Sequence, residues 1–456
     1  MSQNNNSQKS HRYDTIFIGA GVAALTAARE LMDLGQDDVL ILEQGKFTPK
    51  RSCPGESTST CFQCKLCDTT IGLGGANALH GNKVCFFPAS EGVLDLIGRE
   101  WQSVIAERLK RYFPLHLSIG LKTQHKIKHS ALKGYPSDAL SKKHFREFVK
   151  NLSGYLILSK KIVFQSKVTA IHRSKNGFQI DCKDKTYFTK KLVWAAGRAG
   201  SLQSQNIFDF LGVEYASPCP DIGFRIETHR ELFNELYYYQ VDPKIKRDYD
   251  DLGSARTFCA HNQGHVVPVL IDKGFYADGA FLDNFGDSNN IAIMCRTKAT
   301  YDTKKIDEWC HSINKKYKNH LLLSEFTLEA SQIPTSIYRG LEQLSDLLPS
   351  KQHRGVFDRF VHELTKGELA IFKKQHAQPL PFRVYGPAVD YYWVQPKVDE
   401  NLQTNIPGFY VIGDSIGLSR GYYQAMFSGA AFAFKQFQSF SDRKILCSNL
   451  ALQATH

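Results

Sequence analysis

The chain has 456 residues, of which 42% are hydrophobic and 22% charged, a composition typical of water-soluble globular proteins. That length predicts two or three domains, or one large domain with insertions, and it excludes a miniprotein held together by disulfides. No segment approaches the roughly 18 consecutive apolar residues of a membrane-spanning helix, so a transmembrane protein is not expected. The net charge of +12 is concentrated in residues 101–200, which hold 21 Lys and Arg against 5 Asp and Glu.

The first residues and the cysteines bear on the cellular compartment. Residues 1–12 are polar, which indicates a flexible N-terminus, and they have neither the apolar core of a secretory signal nor the Arg-rich pattern of a transit peptide. We therefore expect a cytoplasmic protein. Because cytoplasmic thiols stay reduced, clustered cysteines would indicate metal binding or redox activity rather than structural disulfides.

The chain opens with a predicted β-α-β unit. Tyr13 to Ile18 is a run of strand formers, residues 22–34 have helical apolar spacing, and Val39 to Leu42 is a second apolar run. The loop between the first strand and the helix fits G-x-G-x-x-G/A, a pattern that lets the backbone and a helix N-terminus bind a pyrophosphate. Its residues are Gly19, Ala20, Gly21, Val22, Ala23 and Ala24. Glu43 follows the second strand, where a carboxylate can accept both ribose hydroxyls of an adenosine.

Four of the eleven cysteines fall within fifteen residues. They are Cys53, Cys61, Cys64 and Cys67. The C-x2-C-x2-C spacing of the last three is that of a loop wrapping a cubane iron–sulfur cluster, and four thiolates equally suit tetrahedral Zn²⁺. Cys85 is an alternative to Cys53 as the fourth ligand. A redox-active dithiol and four unligated thiols remain open as further interpretations.

The rest of the chain predicts an extended first domain and a second one. Apolar spacing indicates helices over 92–113, 140–157 and 421–438, and strands over 162–171, 177–182, 186–188, 192–195 and 407–413. The predicted organisation is a nucleotide-binding domain at 13–205, a substrate domain at 206–390 and a return to the first domain at 391–456. The first domain would include a cysteine-rich loop at 50–70 and a helical insertion at 90–150.

The end of the chain distinguishes NAD from FAD. Residues 407–425 read PGFYVIGDSIGLSRGYYQA, a strand that runs into Gly413-Asp414 and then a glycine-bounded turn before a helix. This segment resembles the C-terminal flavin segment of the glutathione-reductase-like FAD proteins, and Leu192–Arg198 resembles the strand that ends beside their flavin. The resemblance implies an α/β fold: a glutathione-reductase-like FAD-binding Rossmann domain with a β-meander, plus a mixed α+β substrate domain.

In addition to the first loop and Glu43, the FAD-binding residues implied are Gln44, Gly74, Gly75, Ala76, Val168, Ala196, Gly197, Gly413, Asp414, Gly421, Tyr422 and Gln424.

Further segments narrow the resemblance. The glycine-rich stretch 71–76 and the segments 195–201, 221–227, 256–267 and 417–421 resemble those of a large group of bacterial FAD-dependent dehydrogenases. Departures from the group's pattern are Asn77, His80, Asn82 and the Ala-His-Asn-Gln turn at 260–263. Because these positions are expected to face the flavin, we expect a substrate different from that of typical members. The resemblance therefore indicates the cofactor better than the reaction.

Four residues are candidates for catalysis. Arg420 and Tyr422 open the last predicted helix, so at least one is expected near the pyrimidine ring of the flavin, where a cation stabilises the reduced form. His80 lies in the glycine-rich stretch, and His261 in the middle domain is a candidate substrate base. No second G-x-G-x-x-G is present, so electrons are expected from the substrate, from an electron-donor protein such as a ferredoxin, or from transiently bound NAD(P)H.

The sequence thus favours an FAD-dependent oxidoreductase that transfers a hydride between flavin N5 and a small organic substrate, with an iron–sulfur or zinc site near the flavin. One alternative is an FAD-dependent RNA-modifying enzyme that docks through the basic block at 101–200. A solvated surface explains that block without any nucleic acid and is the favoured interpretation, and an acidic protein or an anionic substrate is a further alternative. Another alternative is a non-catalytic flavin-binding interaction protein.

Overall fold

The structure is a computed structural model that describes residues 11–47, 50–55, 60–76, 78–80, 82–113, 132–233, 241–250, 252–281, 287–367, 369–418 and 420–436. Several sequence predictions lie outside the described residues. These are the flexible N-terminus up to residue 10, part of the cysteine-rich loop, Asn77, and Lys122, Lys126 and Lys128 of the basic block.

Helices and strands alternate along the first part of the chain, and strands dominate its middle. The helices are α1 (Val22–Asp33), α2 (Gly92–Ile97), α3 (Gln102–Leu109), α4 (Lys142–Leu158), α5 (Ser201–Leu211), α6 (Thr303–Lys316), α7 (Ile333–Glu342), α8 (Lys351–Thr365) and α9 (Tyr422–Lys435). The strands are β1 (His11–Ile18), β2 (Val39–Leu42), β3 (Asn82–Cys85), β4 (Leu132–Lys133), β5 (Ser137–Leu140), β6 (Ile162–Val163), β7 (Val168–Ser174), β8 (Gly177–Cys182), β9 (Thr186–Trp194), β10 (Tyr215–Ala216), β11 (Asp221–His229), β12 (Lys244–Tyr249), β13 (Gly253–His261), β14 (Gly264–Leu270), β15 (Phe275–Phe281), β16 (Ser288–Arg296), β17 (Leu322–Leu328), β18 (Leu380–Asp390), β19 (Gln395–Pro396) and β20 (Phe409–Val411).

The first sheet brings four strand ends to one edge. Its order is β6-β2-β1-β9, and β1 runs parallel to both β2 and β9. The other edge of β9 is shared, because its first half pairs with the antiparallel β8-β7 meander and its last three residues pair with parallel β20. Ile18 is in register with Leu42 and with Trp194, which is in turn in register with Val411. The loops after these residues therefore meet at the carboxyl edge, where open α/β sheets bind ligands.

The second sheet is antiparallel and builds the other half of the molecule. Its order is β17-β18-β11-β16-β13-β12-β4. Helices α6, α7 and α8 contribute to one apolar core with it, in which Phe224 stacks edge to face on Phe357. The fold is thus α/β with a mixed second unit. Strand β4 belongs to this sheet although it lies within the predicted helical insertion at 90–150, and the predicted domain boundaries stay a prediction.

The helix predicted over 92–113 was wrong as a single element. The segment consists of α2, a 3-10 turn, α3 and a second 3-10 turn. Gly98 causes the first break, because it adopts φ +110°, a conformation that L side chains rarely tolerate. The apolar spacing continues across this break because both helices pack Ile97, Trp101 and Ile105 into the same core.

Part of the basic block is neutralised inside the first domain. The Arg108 Nε lies 2.8 Å from Glu30 Oε2, and both side chains are buried. Arg111 pairs with Glu30 and with Asp33 on α1. These two arginines stabilise the packing of the insertion on α1 and are not available to an external partner. Of the described helices, none is long and apolar enough to cross a membrane.

Candidate functional site

A cavity of about 1650 Å³ extends from the carboxyl edge of the first sheet to the second sheet. One end is lined by Glu43, Gln44, Ser166 and Val168, which we call the ribose end. The opposite end, which we call the far chamber, is lined by Lys83, Cys85, Tyr135, Asp242, Lys244, Arg256, Phe258, Cys259 and Tyr391. The two ends are joined by the loops that follow β1, β9 and β20.

The first loop leaves an open cradle beside a helix N-terminus. Gly19 adopts φ +99° and turns the chain sharply out of β1, and Gly21 precedes the first residue of α1. A Cβ added at Gly21 would meet no atom within 4 Å, so the space in front of this backbone is empty. No side chain caps α1, so no side chain occupies the position in front of its N-terminus where an anion can bind. Gly19, Gly21, Val22 and Ala23 line the cavity, whereas Ala20 and Ala24 are buried behind it.

Glu43 is held at the ribose end by two backbone donors. Its Oε2 accepts a hydrogen bond from Ala20 N at 2.6 Å, and its Oε1 accepts one from Gly45 N at 2.7 Å. Burial raises the pKa of this carboxyl, and the two backbone donors partly offset the effect. Each carboxylate oxygen can accept more than one hydrogen bond, so both can still receive ribose hydroxyls.

Arg51 fixes the glycine-rich stretch against the first loop. Its guanidinium donates to the carbonyl oxygens of Asp68, Leu73 and Gly75, each at 2.8 Å. The Gly74 N–H donates to Ala20 O at 2.9 Å, which brings this stretch across the cradle. Gly74, Gly75 and Ala76 consequently line the cavity. Arg51 could not be predicted as part of the site, because an arginine in a polar loop belongs to no distinctive sequence pattern.

The loop after β20 and the start of α9 form the opposite wall. Gly413, Asp414, Gly421 and Tyr422 line the cavity, as do Ala196 and Gly197 after β9. No side chain caps α9 either, so a second helix N-terminus borders the cavity. Tyr422 donates its hydroxyl hydrogen to Ala76 O and thereby joins this wall to the glycine-rich stretch. Gln424 is fully buried behind the wall and donates to the carbonyl oxygens of Cys85 and Ala89.

Buried ion pairs connect this wall to the second sheet. Arg198 lies 3.5 Å from an oxygen of Asp278 and 3.8 Å from one of Asp414. Arg420 lies 3.8 Å from Asp278 and also pairs with Asp390. Burial raises the pKa of the Asp414 carboxyl, while Arg198 and Arg420 lower it. Arg420 thus lines the cavity as predicted, but its charge is already engaged by carboxylates.

The two candidate histidines lie outside the cavity lining. His80 is buried, and its ring stacks edge to face on His265 with a centroid distance of 6.0 Å. His261 is fully buried, and its Nδ1 lies 2.9 Å from Cys259 O. Burial lowers the pKa of His261 well below its usual value, and Lys83 adds to the shift. His261 is therefore neutral at physiological pH. It does not line the cavity, so it does not contact a ligand bound there.

A polar cluster of Lys83, Asp242 and Tyr135 occupies the far chamber, and of these three only Lys83 was a candidate from the sequence. Asp242 Oδ1 accepts from Lys83 Nζ at 2.5 Å and from Ala260 N at 3.1 Å, and its Oδ2 accepts from Tyr135 OH at 2.5 Å. Lys83 also donates to Ala260 O at 2.7 Å. These contacts hold the pKa of Asp242 below its usual range even though burial opposes ionisation. Lys244, two residues further along, lines the same chamber.

The four clustered cysteines lie together beside the main cavity. Cys53, Cys61, Cys64 and Cys67 line one smaller cavity with Pro268 of β14. All ten described cysteines are free thiols. Burial raises the pKa of Cys61 to about 12. Among the described residues, no three His, Cys, Asp or Glu side chains are arranged to hold a metal ion.

Comparisons with known proteins give distant similarity only. No family model matches the chain, and no curated protein matches it. Three similar solved structures are the rebeccamycin biosynthetic enzyme RebC with reduced flavin (9% identity, TM-score 0.37), the 2,6-dihydroxypyridine-3-hydroxylase from Arthrobacter nicotinovorans (12%, 0.37) and NikD, an amino acid oxidase of nikkomycin biosynthesis (12%, 0.39). The matches cover 98%, 98% and 95% of this chain and 66%, 87% and 97% of the respective structures, so the chain spans just under two thirds of RebC. At these identities and TM-scores, the similarity does not indicate which reaction this chain catalyses.

Proposed function

We propose that the protein is an FAD-dependent oxidoreductase of the glutathione-reductase-like class that acts on a small organic substrate. The observation that carries the proposal is the continuous cavity, which offers a ribose acceptor, two uncapped helix N-termini and a separate polar chamber in that order. An elongated dinucleotide with a redox-active ring matches this sequence of environments. A bound FAD would supply hydride transfer at its N5.

Different residues of the cavity would bind different parts of the FAD molecule. Glu43 would accept the adenosine ribose hydroxyls, and the N-terminus of α1 beyond Gly21 would bind the pyrophosphate. Asp414 would face the ribityl chain, and the N-terminus of α9 at Tyr422 would face the ring. The far chamber then remains for the substrate, because it lies beyond these four contacts.

Binding and reduction of FAD test this proposal. Purified protein is expected to carry a yellow flavin that heat denaturation releases as FAD, and apoprotein is expected to rebind FAD in a calorimetric titration. Dithionite is expected to bleach the flavin absorbance, and parallel titrations with NADH and NADPH identify whether either is a donor. A protein that arrives colourless and binds no added FAD would contradict the proposal.

We also propose that the cysteine cluster holds an iron–sulfur cluster or zinc near the flavin site. The support is that four thiol donors line one small cavity, and that the segment runs directly into Thr70 and Ile71 of the main cavity wall. To bind a metal ion or a cluster, the four thiols would have to move closer together than they lie in this structure.

Metal analysis of anaerobically purified protein checks the cysteine proposal. If the site holds an iron–sulfur cluster, we expect iron, acid-labile sulfide and broad visible absorption beyond the flavin bands. If it holds zinc, we expect one zinc ion per chain. Cys64→Ser is expected to reduce the metal content severalfold. Cys182→Ser, which replaces a half-buried thiol on β8, is expected to leave it unchanged. Wild-type protein that contains neither iron nor zinc would disprove metal binding.

A further inference from the structure

Five cationic side chains line the cavity. They are Lys83, Arg198, Lys244, Arg256 and Arg420. A cation in a largely buried wall is costly unless a carboxylate or another anion lies close to it. The partners of these five therefore show which of them is available to a ligand.

Four of the five cations are engaged by carboxylates of the protein. Lys83 pairs with Asp242, and Arg198 pairs with Asp278. Arg256 pairs with Asp221 and lies 3.2 Å from Asp390, and Arg420 pairs with Asp278 and Asp390. These contacts keep the four side chains in fixed positions. Lys244 differs from them: among the described residues, no carboxylate oxygen lies within ion-pairing distance of its Nζ.

The nearest carboxylates are already committed to other donors. Both oxygens of Asp242 accept hydrogen bonds, from Lys83 and Ala260 on one side and from Tyr135 on the other. Asp221 receives Arg296, whose Nε lies 2.8 Å from Oδ1, as well as Arg256. These acceptors are occupied by other donors, and Lys244 itself lines the chamber.

The environment of Lys244 makes its charge sensitive to what fills the chamber. Burial and the nearby charge of Arg256 lower the pKa of Lys244 to about 8, although Asp242, Asp221 and Asp390 oppose the shift. Strand β4 places Lys133 opposite Lys244 in the backbone register. An anion in the chamber would raise this pKa again, because it would favour the charged amine.

We propose that Lys244 binds an anionic group of the substrate, a carboxylate or a phosphate, so that the far chamber accepts a small organic acid. This inference rests on the proposed function for the role of the cavity. It goes beyond that proposal in assigning a substrate class and a residue that recognises it. Lys83 cannot take the same role, since Asp242 already neutralises it.

Anion binding to the full-length FAD-loaded protein tests the assignment. Benzoate, acetate and inorganic phosphate are titrated separately and followed by calorimetry and by the change in flavin absorbance. We expect at least one of them to bind to the wild type, and Lys244→Gln to weaken that anion at least tenfold. Stronger binding of benzoate or acetate indicates a carboxylate, and stronger binding of phosphate indicates a phosphorylated substrate. Lys246→Gln, on the same strand but outside the cavity lining, is the matched control and is expected to bind like the wild type.

The pH dependence gives a second readout. Benzoate and acetate keep one negative charge between pH 7 and pH 9. Since the ammonium form of Lys244 binds them and its pKa is about 8, their affinity for the wild type is expected to fall about tenfold over that range. It should be independent of pH in Lys244→Gln over that range. Unchanged anion affinity in Lys244→Gln would overturn the assignment, as would the failure of all three anions to bind to the wild type. If the protein takes up no FAD but still binds an anion through Lys244, the proposed function is contradicted and the role of Lys244 is retained.

Discussion

Gly21→Leu is expected to abolish FAD binding while leaving the protein folded. Gly21 has φ −73° and ψ 170°, which any residue can adopt, and an added Cβ meets no protein atom within 4 Å. The leucine side chain would therefore fit without strain into the space in front of the α1 N-terminus. That space is where the pyrophosphate is expected, so the loss of affinity should be at least about 100-fold, near 3 kcal/mol.

Calorimetric titration of apoprotein with FAD measures the effect, and the thermal unfolding midpoint of the apoprotein shows that the fold is retained. Gly355→Leu is the matched control, because a Cβ at this α8 glycine also has open space but lies away from the cavity. It is expected to bind FAD like the wild type. Wild-type affinity in Gly21→Leu would rule out this loop as the pyrophosphate site.

Asp278→Asn is expected to destabilise the apoprotein by about 3–5 kcal/mol, because it removes a buried negative charge that three arginines share. Asp278 is 3% exposed, and Arg198, Arg225 and Arg420 lie 3.5 to 3.8 Å from its carboxylate. Urea denaturation without FAD measures the loss, since cofactor binding would otherwise add to the stability of the folded state. The matched control is Asp346→Asn, whose pair with Arg354 is exposed, and it is expected to cost about 0–1 kcal/mol.

The pH dependence of stability follows from the same group. Burial opposes the ionisation of Asp278, but Arg198, Arg420 and Arg225 outweigh it and hold its pKa below the usual value of 3.8. A depressed folded-state pKa contributes stability that is present above the unfolded pKa and lost as the pH falls through the folded one. The difference in stability between the wild type and Asp278→Asn should therefore shrink in acid. Equal stability of the two proteins at pH 7 would show that the arginines do not depend on this carboxylate.

Local pattern was sufficient to predict the β-α-β unit that borders the ribose end of the cavity. The strand at Val39–Leu42 was predicted with its observed bounds, and the helix predicted over 22–34 ends within one residue of α1. Glycines, a helix start and an acidic residue at fixed spacing determine this unit, so the sequence carries the information within about thirty residues. The positions of Gly21 and Glu43 at the cavity follow directly from it.

The far chamber could not be predicted in the same way. Lys83 and Asp242 meet across 159 residues, and no sequence pattern connects the two. His261 was chosen for its chemistry, yet its position on β13 turns it into the protein interior, beside Phe281. Strand β9 shows a related difficulty: it was predicted as two strands, at 186–188 and 192–195. It is one continuous strand because it pairs with β1 from Tyr187 to Trp194, while the partner on its other edge changes from β8 to β20.

The division of β9 between two partners has a consequence for how the protein matures. Its last three residues gain their outer neighbour only when β20, more than 200 residues later, has been synthesised and docked. Contacts so distant in sequence form late, because the intervening chain must first be ordered. The cavity wall at Gly413 and Tyr422 is built by this last segment, so a nascent chain has no complete cofactor site until its C-terminal helix is in place. Uptake of the cofactor would then report that β20 and α9 have docked on the first sheet.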